Sequence, residues 1–202
     1  MSYTLPQVPL LVVITGLSGA GKDSVVNNMR ERGCPFHFVI TVADRPPRPG
    51  ELNGREYIFV SPEEFRAMSA RGELLENAVV YEQNKGIPRA SVQAALDSGK
   101  DAVVRVDVQG ALTVKRLIPA AVTIFLTVES EEELEYRLRG RRSETVDQMN
   151  KRIATARQEM ACIPKFDYVV VNRRDALEAA VDDVAAIMRA EHCRSKLRRV
   201  VL

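Results

Sequence analysis

Gly16-Leu17-Ser18-Gly19-Ala20-Gly21-Lys22 is a glycine-rich turn that ends in a lysine. Glycines at this spacing let backbone N–H groups wrap a phosphate without Cβ clashes, and a following helix adds partial positive charge. Lys22 brings a full, mobile charge for β- and γ-phosphates, which completes the P-loop spacing. One position departs from that pattern. A Ser or Thr normally follows the lysine and holds magnesium, whereas here Asp23 follows and Ser24 comes one later. Asp23 either ligates magnesium or caps the helix. Its charge beside a triphosphate predicts weaker nucleotide binding without the metal. Asp107 stands at the tip of the apolar run Ala102 to Val106. It offers a hard oxygen ligand of the kind magnesium takes, or else a cap for the next turn.

Arg45 and Arg48 are three apart on a segment stiffened by Pro46, Pro47 and Pro49. Two guanidinium groups held together suit a phosphate dianion, since each forms paired, charge-assisted bonds. Tyr57 adds a hydroxyl. The whole stretch from Val42 to Glu56 reads as irregular, and so long a loop in a compact protein points to function.

These groups need a frame. Val8 to Thr15 reads as a buried strand leading into the glycine turn, and Asp23 to Arg32 as a helix closed by Gly33. Further strands are expected at Phe36–Thr41, Leu74–Tyr81, Ala102–Val106, Val122–Val128 and Tyr168–Val171. Helices are expected after Ser61, from Ala90 to Ser98, after Ser130, from Thr145 to Cys162 and from Ala176 to Glu191. Ser61 with Glu64, and Ser130 with Glu133, have capping-box spacing. Strands alternating with helices imply a parallel sheet covered on both faces.

Composition narrows the class. The 202 residues are 46% hydrophobic, enough for a real core, and carry 29 Lys+Arg against 27 Asp+Glu, a net charge of +2. That balance argues against a nucleic-acid binder. No apolar run reaches the length of a membrane span. The amino terminus has no basic start of a secretory signal, and three scattered cysteines point to a reduced, cytoplasmic home. The basic stretch from Arg189 to Leu202 reads as a frayed, solvated helix end.

With these residues in view, the chain resembles guanylate kinases from about Leu10 to Glu191. The resemblance rests on the P-loop, Arg45 to Tyr57, Phe59-Val60-Ser61, Leu75-Glu76, Asp107-Val108-Gln109-Gly110, and Arg137 to Glu144. It implies an α/β fold: a P-loop parallel sheet flanked by helices, a small mobile GMP-binding α+β insertion and a helical lid. The core would comprise 1–40, 88–130 and 159–202, the insertion 41–87 and the lid 131–158. It also implies phosphoryl transfer from ATP to GMP with Mg2+, and a monomer or homodimer without nucleic-acid or membrane partners. Arg45, Arg48 and Tyr57 would hold the GMP phosphate, Glu76 would accept from guanine N1–H and N2–H2, Thr41 would lie near guanine O6, and Glu51 and Lys85 would belong to the same GMP site. Asp107 would sit between the substrates near the metal, together with Asp23 and Ser24. Lys22, Arg137, Arg141 and Arg152 would stabilise the transferring phosphoryl, and Asn172 would lie near the adenine. Lys85 replaces a phosphate-binding phenol, and Ile87 replaces a base-contacting hydroxyl. Asp44 and Arg105 stand where small or acidic residues are common. Gly-Lys-Asp-Ser also resembles a ribosyl bisphosphate phosphokinase, but that family lacks the arginine loop. Protein-binding modules of guanylate-kinase type usually lose the P-loop or lid residues that are kept here.

Overall fold

The structure is a computed structural model that describes residues 7–47, 50–55, 57–80, 83–139 and 146–202. The chain opens with β1 (Leu11–Gly16), α1 (Lys22–Glu31) and β2 (Phe36–Val39). A smaller group follows: β3 (Val42–Ala43), β4 (Ile58–Phe59), α2 (Pro62–Ala70), β5 (Leu74–Val80) and β6 (Gln83–Pro88). The chain then alternates through α3 (Arg89–Asp97), β7 (Asp101–Arg105), α4 (Val108–Leu117), β8 (Val122–Thr127), α5 (Glu131–Arg139), α6 (Val146–Met160), β9 (Tyr168–Val171) and α7 (Leu177–His192).

Five strands form one parallel sheet in the order β2-β7-β1-β8-β9. All six residues of β1 are buried. Val12 lies between Val103 and Val122 in register. The strand is apolar from Leu11 to Ile14 because helices cover both sides, and its alternate residues serve opposite layers. Leu11 and Val13 pack with Val92 and Ala95 of α3 and Ala111 and Val114 of α4. Val12 and Ile14 pack with Val25 and Met29 of α1 and Val181 and Val184 of α7. The carboxyl ends of β1 and β7 therefore share one edge, the place where parallel sheets present ligand sites.

The second sheet, in the order β4-β3-β6-β5, is built entirely from residues 42–88. Its core is small: Val42, Phe65 and Leu74, with Ile58, Val60 and Met68 against them. Ser61 caps α2 by accepting from the Glu64 amide at 3.1 Å, as its spacing predicts.

Several elements differ from the sequence reading. The supposed loop from Val42 contains β3, and β4 adds a second short strand. β6 was not expected, because Asn84, Lys85, Gly86 and Pro88 have poor strand propensity. Its pairing with β5 and β3 outweighs that propensity. α4 was also not expected, since Gly110, Val108 and Val114 weaken helix formation. Asp107 caps it instead, accepting from the Gln109 and Gly110 amides at 2.9 and 3.0 Å.

The basic end of the chain is docked rather than frayed. Glu191 is 1% exposed. It accepts from Arg198 Nε at 2.6 Å and from the Tyr168 hydroxyl at 2.5 Å. A buried carboxylate needs such partners, and Val200 and Leu202 pack on the core beside it. Arg198→Met should lower unfolding free energy by about 3 kcal/mol, because it removes one partner of a buried ion pair. Arg198 and Tyr168 hold the Glu191 carboxyl below its ordinary value against the opposing effect of burial. That stabilisation is present above the ordinary carboxylate range and is lost as pH falls. Urea unfolding should therefore separate wild type from variant at pH 7 and bring them together in acid.

Candidate active site

The P-loop turns from β1 into α1 along the edge of the parallel sheet. Gly21 is the N-cap of α1 with φ 89°, and a Cβ there would lie 2.5 Å from Asn172 Nδ2. Only glycine accepts both the positive φ and that contact. The Asn172 amide donates to the Ala20 carbonyl at 2.8 Å and is buried. Its side chain thus braces the loop. Arg137 does related work. It donates to Glu133 at 2.6 Å, to the Asn172 carbonyl at 2.9 Å and to the Ala20 carbonyl at 3.5 Å. It does not line the main cavity.

Lys22 Nζ donates to the Gly16 and Leu17 carbonyls at 2.7 and 2.9 Å, which holds the ammonium over the loop. Burial pushes its pKa down, while Glu159 and Asp107 oppose that shift. Glu159 was not anticipated, and its placement is tertiary. Arg152, Thr155 and Glu159 are spaced three and four apart on α6, so they form one stripe, and all three face the cavity. Arg152 donates to the Ser18 hydroxyl at 3.3 Å, and the Ser18 amide faces the Glu159 carboxylate. Glu159 keeps one buried oxygen without a partner among the described residues, and burial raises its pKa. The 3–4 spacing was the one available sign of this stripe.

The main cavity, of about 420 Å³, joins the P-loop to the small sheet. Lys22, Asp23, Ser24, Thr41, Tyr57, Glu76, Lys85, Asp107 and Arg152 all reach its wall. Arg48 and Arg141 lie outside the described residues. Ile87 is fully buried in the core, and the cavity wall does not include it.

Glu76 dominates the far end. It is 5% exposed, and Oε1 has no hydrogen-bond partner among the described residues. Burial, with a smaller push from Asp107, raises its pKa to about 7. A Cβ on Gly110 would meet this carboxylate at 3.1 Å, so glycine lets α4 lie directly against it.

Three cations surround the Tyr57 ring: Arg105, Lys85 and Arg45, at 5.1, 5.2 and 5.3 Å from its centroid. Arg45 also lies over Phe59 and is held by a two-bond pair with Glu51 at 2.6 and 2.7 Å. Glu51 therefore orients a guanidinium. Asp23 does not cap α1 but pairs with Arg105.

The site has room and donors for Mg2+. Asp107 uses only Oδ1 in capping α4, and Asp23 and Ser24 line the same cavity. The orphaned Glu159 oxygen adds to the carboxylate field that draws a hard cation. Among the described residues no cluster of three or more His, Cys, Asp or Glu could hold a metal alone. Phosphate oxygens would have to complete the shell, as is usual for magnesium. Among the described residues no helix is long and apolar enough to cross a membrane.

Comparison with known proteins agrees with this geometry. The guanylate kinase family model matches residues 9–191. Guanylate kinase 2, chloroplastic/mitochondrial, of Oryza sativa subsp. japonica is 45% identical over 196 residues, 96% of this chain and 69% of that one. The guanylate kinase of Halalkalibacterium halodurans is 41% identical over 185 residues, 92% of this chain and 90% of that one. The crystal structure of guanylate kinase from Anaplasma phagocytophilum aligns with a TM-score of 0.78 at 28% identity, over 98% of this chain and 93% of that chain. With the match running from the strand before the P-loop to the last turn of α7, the chain belongs to the guanylate kinase family.

Proposed function

We propose that the protein transfers the γ-phosphoryl of ATP to GMP, and to dGMP, giving ADP and GDP or dGDP. The observation that carries this reading is the buried Glu76 carboxylate, with an unpartnered oxygen, in the same cavity as the P-loop. Guanine offers N1–H and N2–H2 as a donor pair that a carboxylate accepts. Thr41 supplies a hydroxyl on the same wall. Arg45, Arg48, Tyr57 and Lys85 hold the acceptor phosphate, with Glu51 setting the Arg45 fork. Gly16 to Gly21 and Lys22 hold the donor phosphates, and Arg152 adds charge from α6. Arg137 and Asn172 keep the loop in shape, with the adenine nearby, and Arg141 serves the phosphoryl from the lid.

Phosphoryl transfer needs positioning and charge neutralisation more than covalent help from the protein. Mg2+, held by Asp107 with Asp23 or Ser24, supplies further neutralisation when bound. Residues 41–87 and 131–158 close over the substrates and exclude water, which limits ATP hydrolysis. The enzyme works in the cytoplasm as a monomer or homodimer, and it needs neither nucleic acid nor a membrane.

An ADP-release assay across GMP, dGMP, AMP, UMP and ribosyl bisphosphate tests the reading. Turnover with GMP and dGMP is expected, and turnover with ribosyl bisphosphate instead overturns it. A second test uses pH. Glu76 must be ionised to accept from guanine, and its pKa is about 7. Guanosine has no titrating phosphate, so its affinity should be highest near pH 8, fall roughly tenfold by pH 6 as Glu76 takes up a proton, and fall again in stronger base as guanine loses its N1 proton. An affinity independent of pH would mean that Glu76 does not read the base.

A further inference from the structure

Arg105 ends β7 at the carboxyl edge of the sheet, two residues before Asp107. Its side chain is 13% exposed, and Nη2 is buried without a hydrogen-bond partner among the described residues. One side of the guanidinium meets Asp23 of the P-loop helix. Its carbon lies 5.1 Å from the Tyr57 ring, which Lys85 and Arg45 also approach. Arg105 lines the main cavity and also a second one of about 150 Å³ beside it. That smaller cavity is walled by five basic side chains and two carboxylates, with Arg30 and Arg55 joining the three cations around Tyr57. A guanidinium stays charged at neutral pH even in a closed site. A buried guanidinium with an idle amino group is costly unless an anion completes it.

We infer that Arg105 binds the phosphate of the nucleoside monophosphate acceptor, and that Asp23 holds its guanidinium in place when no acceptor is bound. This rests on the GMP reading above and adds a phosphate ligand to it. Arg105 is held by Asp23 of the P-loop helix and Arg45 by Glu51, and both line the same small cavity, so the acceptor phosphate would draw on guanidinium groups from two separate parts of the chain. The pairing also accounts for Asp23. A carboxylate directly after the P-loop lysine would repel phosphates, and Arg105 neutralises it.

Titrations of GMP and guanosine into the metal-free, ATP-free protein test this. Arg105→Gln should weaken GMP at least about tenfold, the scale of a lost bond between charged partners, and change guanosine less than twofold. Arg105→Lys should fall between wild type and Arg105→Gln for GMP. Asp23→Ser frees the guanidinium and removes a nearby negative charge, so GMP affinity should stay at the wild-type value or rise. Asp23→Ser with Arg105→Gln restores charge balance, guarding against misfolding, and should bind GMP as weakly as Arg105→Gln alone. Equal GMP affinity in wild type and Arg105→Gln overturns the inference. So does an equal loss of GMP and guanosine, or a loss in Asp23→Ser as large as in Arg105→Gln. A wild type that binds no GMP at all fails the GMP reading itself, which is a separate outcome.

Discussion

Lys22→Ala is expected to lower kcat by at least about 10²-fold, the scale of removing one preorganised donor from a site of developing charge. The ammonium is fixed by the Gly16 and Leu17 carbonyls before any phosphate arrives, so it is not reorganised during transfer. Glu159 and Asp107 help keep it protonated in a site whose burial favours the neutral amine. Alanine removes the charge and leaves the loop, which Asn172 and Arg137 brace independently of Lys22. Steady-state kinetics and a thermal melt on the same preparation check this. A folded variant that retains more than half the wild-type kcat overturns the assignment.

Glu76→Gln should narrow the preference for GMP over AMP by about 10²-fold or more. A site built around a substrate's N–H donors rejects analogues lacking them by roughly 10⁴-fold or more. AMP presents an acceptor at N1 and a C–H at C2, so the carboxylate would stay buried and unpaired. Glutamine keeps one acceptor, loses the charge and adds a donor, which weakens the guanine pair and relieves the conflict with adenine. kcat/KM for both nucleotides, in wild type and variant, is the measurement. An unchanged preference would place base reading elsewhere, with Thr41 next in line.

The same substitution should make the protein more stable. The folded-state pKa of Glu76 is about 7 against an ordinary 4.5. Between those values the unfolded chain has released its proton and the folded chain keeps it, so stability falls as pH rises through that window. Above pH 7 the ionised form costs about 3 kcal/mol, and glutamine removes that cost. Unfolding free energies at pH 5 and pH 8 should converge for the variant and diverge for wild type.

The parts of the site readable from the sequence are those coded locally. The P-loop is a single turn between a buried strand and a helix, so glycine spacing alone identifies it. The Arg45 segment is likewise contiguous. Glu159 could not be found that way, because only the fold of α6 against the loop brings it to Lys22. Asp23 and Arg105 each stand out in the sequence as separate departures from the family pattern. They are far apart along the chain, and the parallel pairing of β7 with β1 is what makes them partners. β6 and α4 escaped for a related reason. Their local propensities are poor, and they are held by a cross-strand ladder and a capping carboxylate respectively.

The position of β1 at the middle of the sheet has a consequence for synthesis. Its two hydrogen-bonding neighbours are β7 and β8, which begin at Asp101 and Val122. As the chain leaves the ribosome, β1 must wait with both edges bare while the intervening segment is made. The smaller sheet has no such delay, since all its strands lie between Val42 and Pro88. Its β5–β6 hairpin pairs neighbouring segments, the fast kind of closure, whereas joining β1 to β7 closes a long loop. The smaller sheet, which carries Glu76, therefore completes its strand pairing first. The catalytic sheet assembles around it, and an unpaired apolar strand is exposed until then.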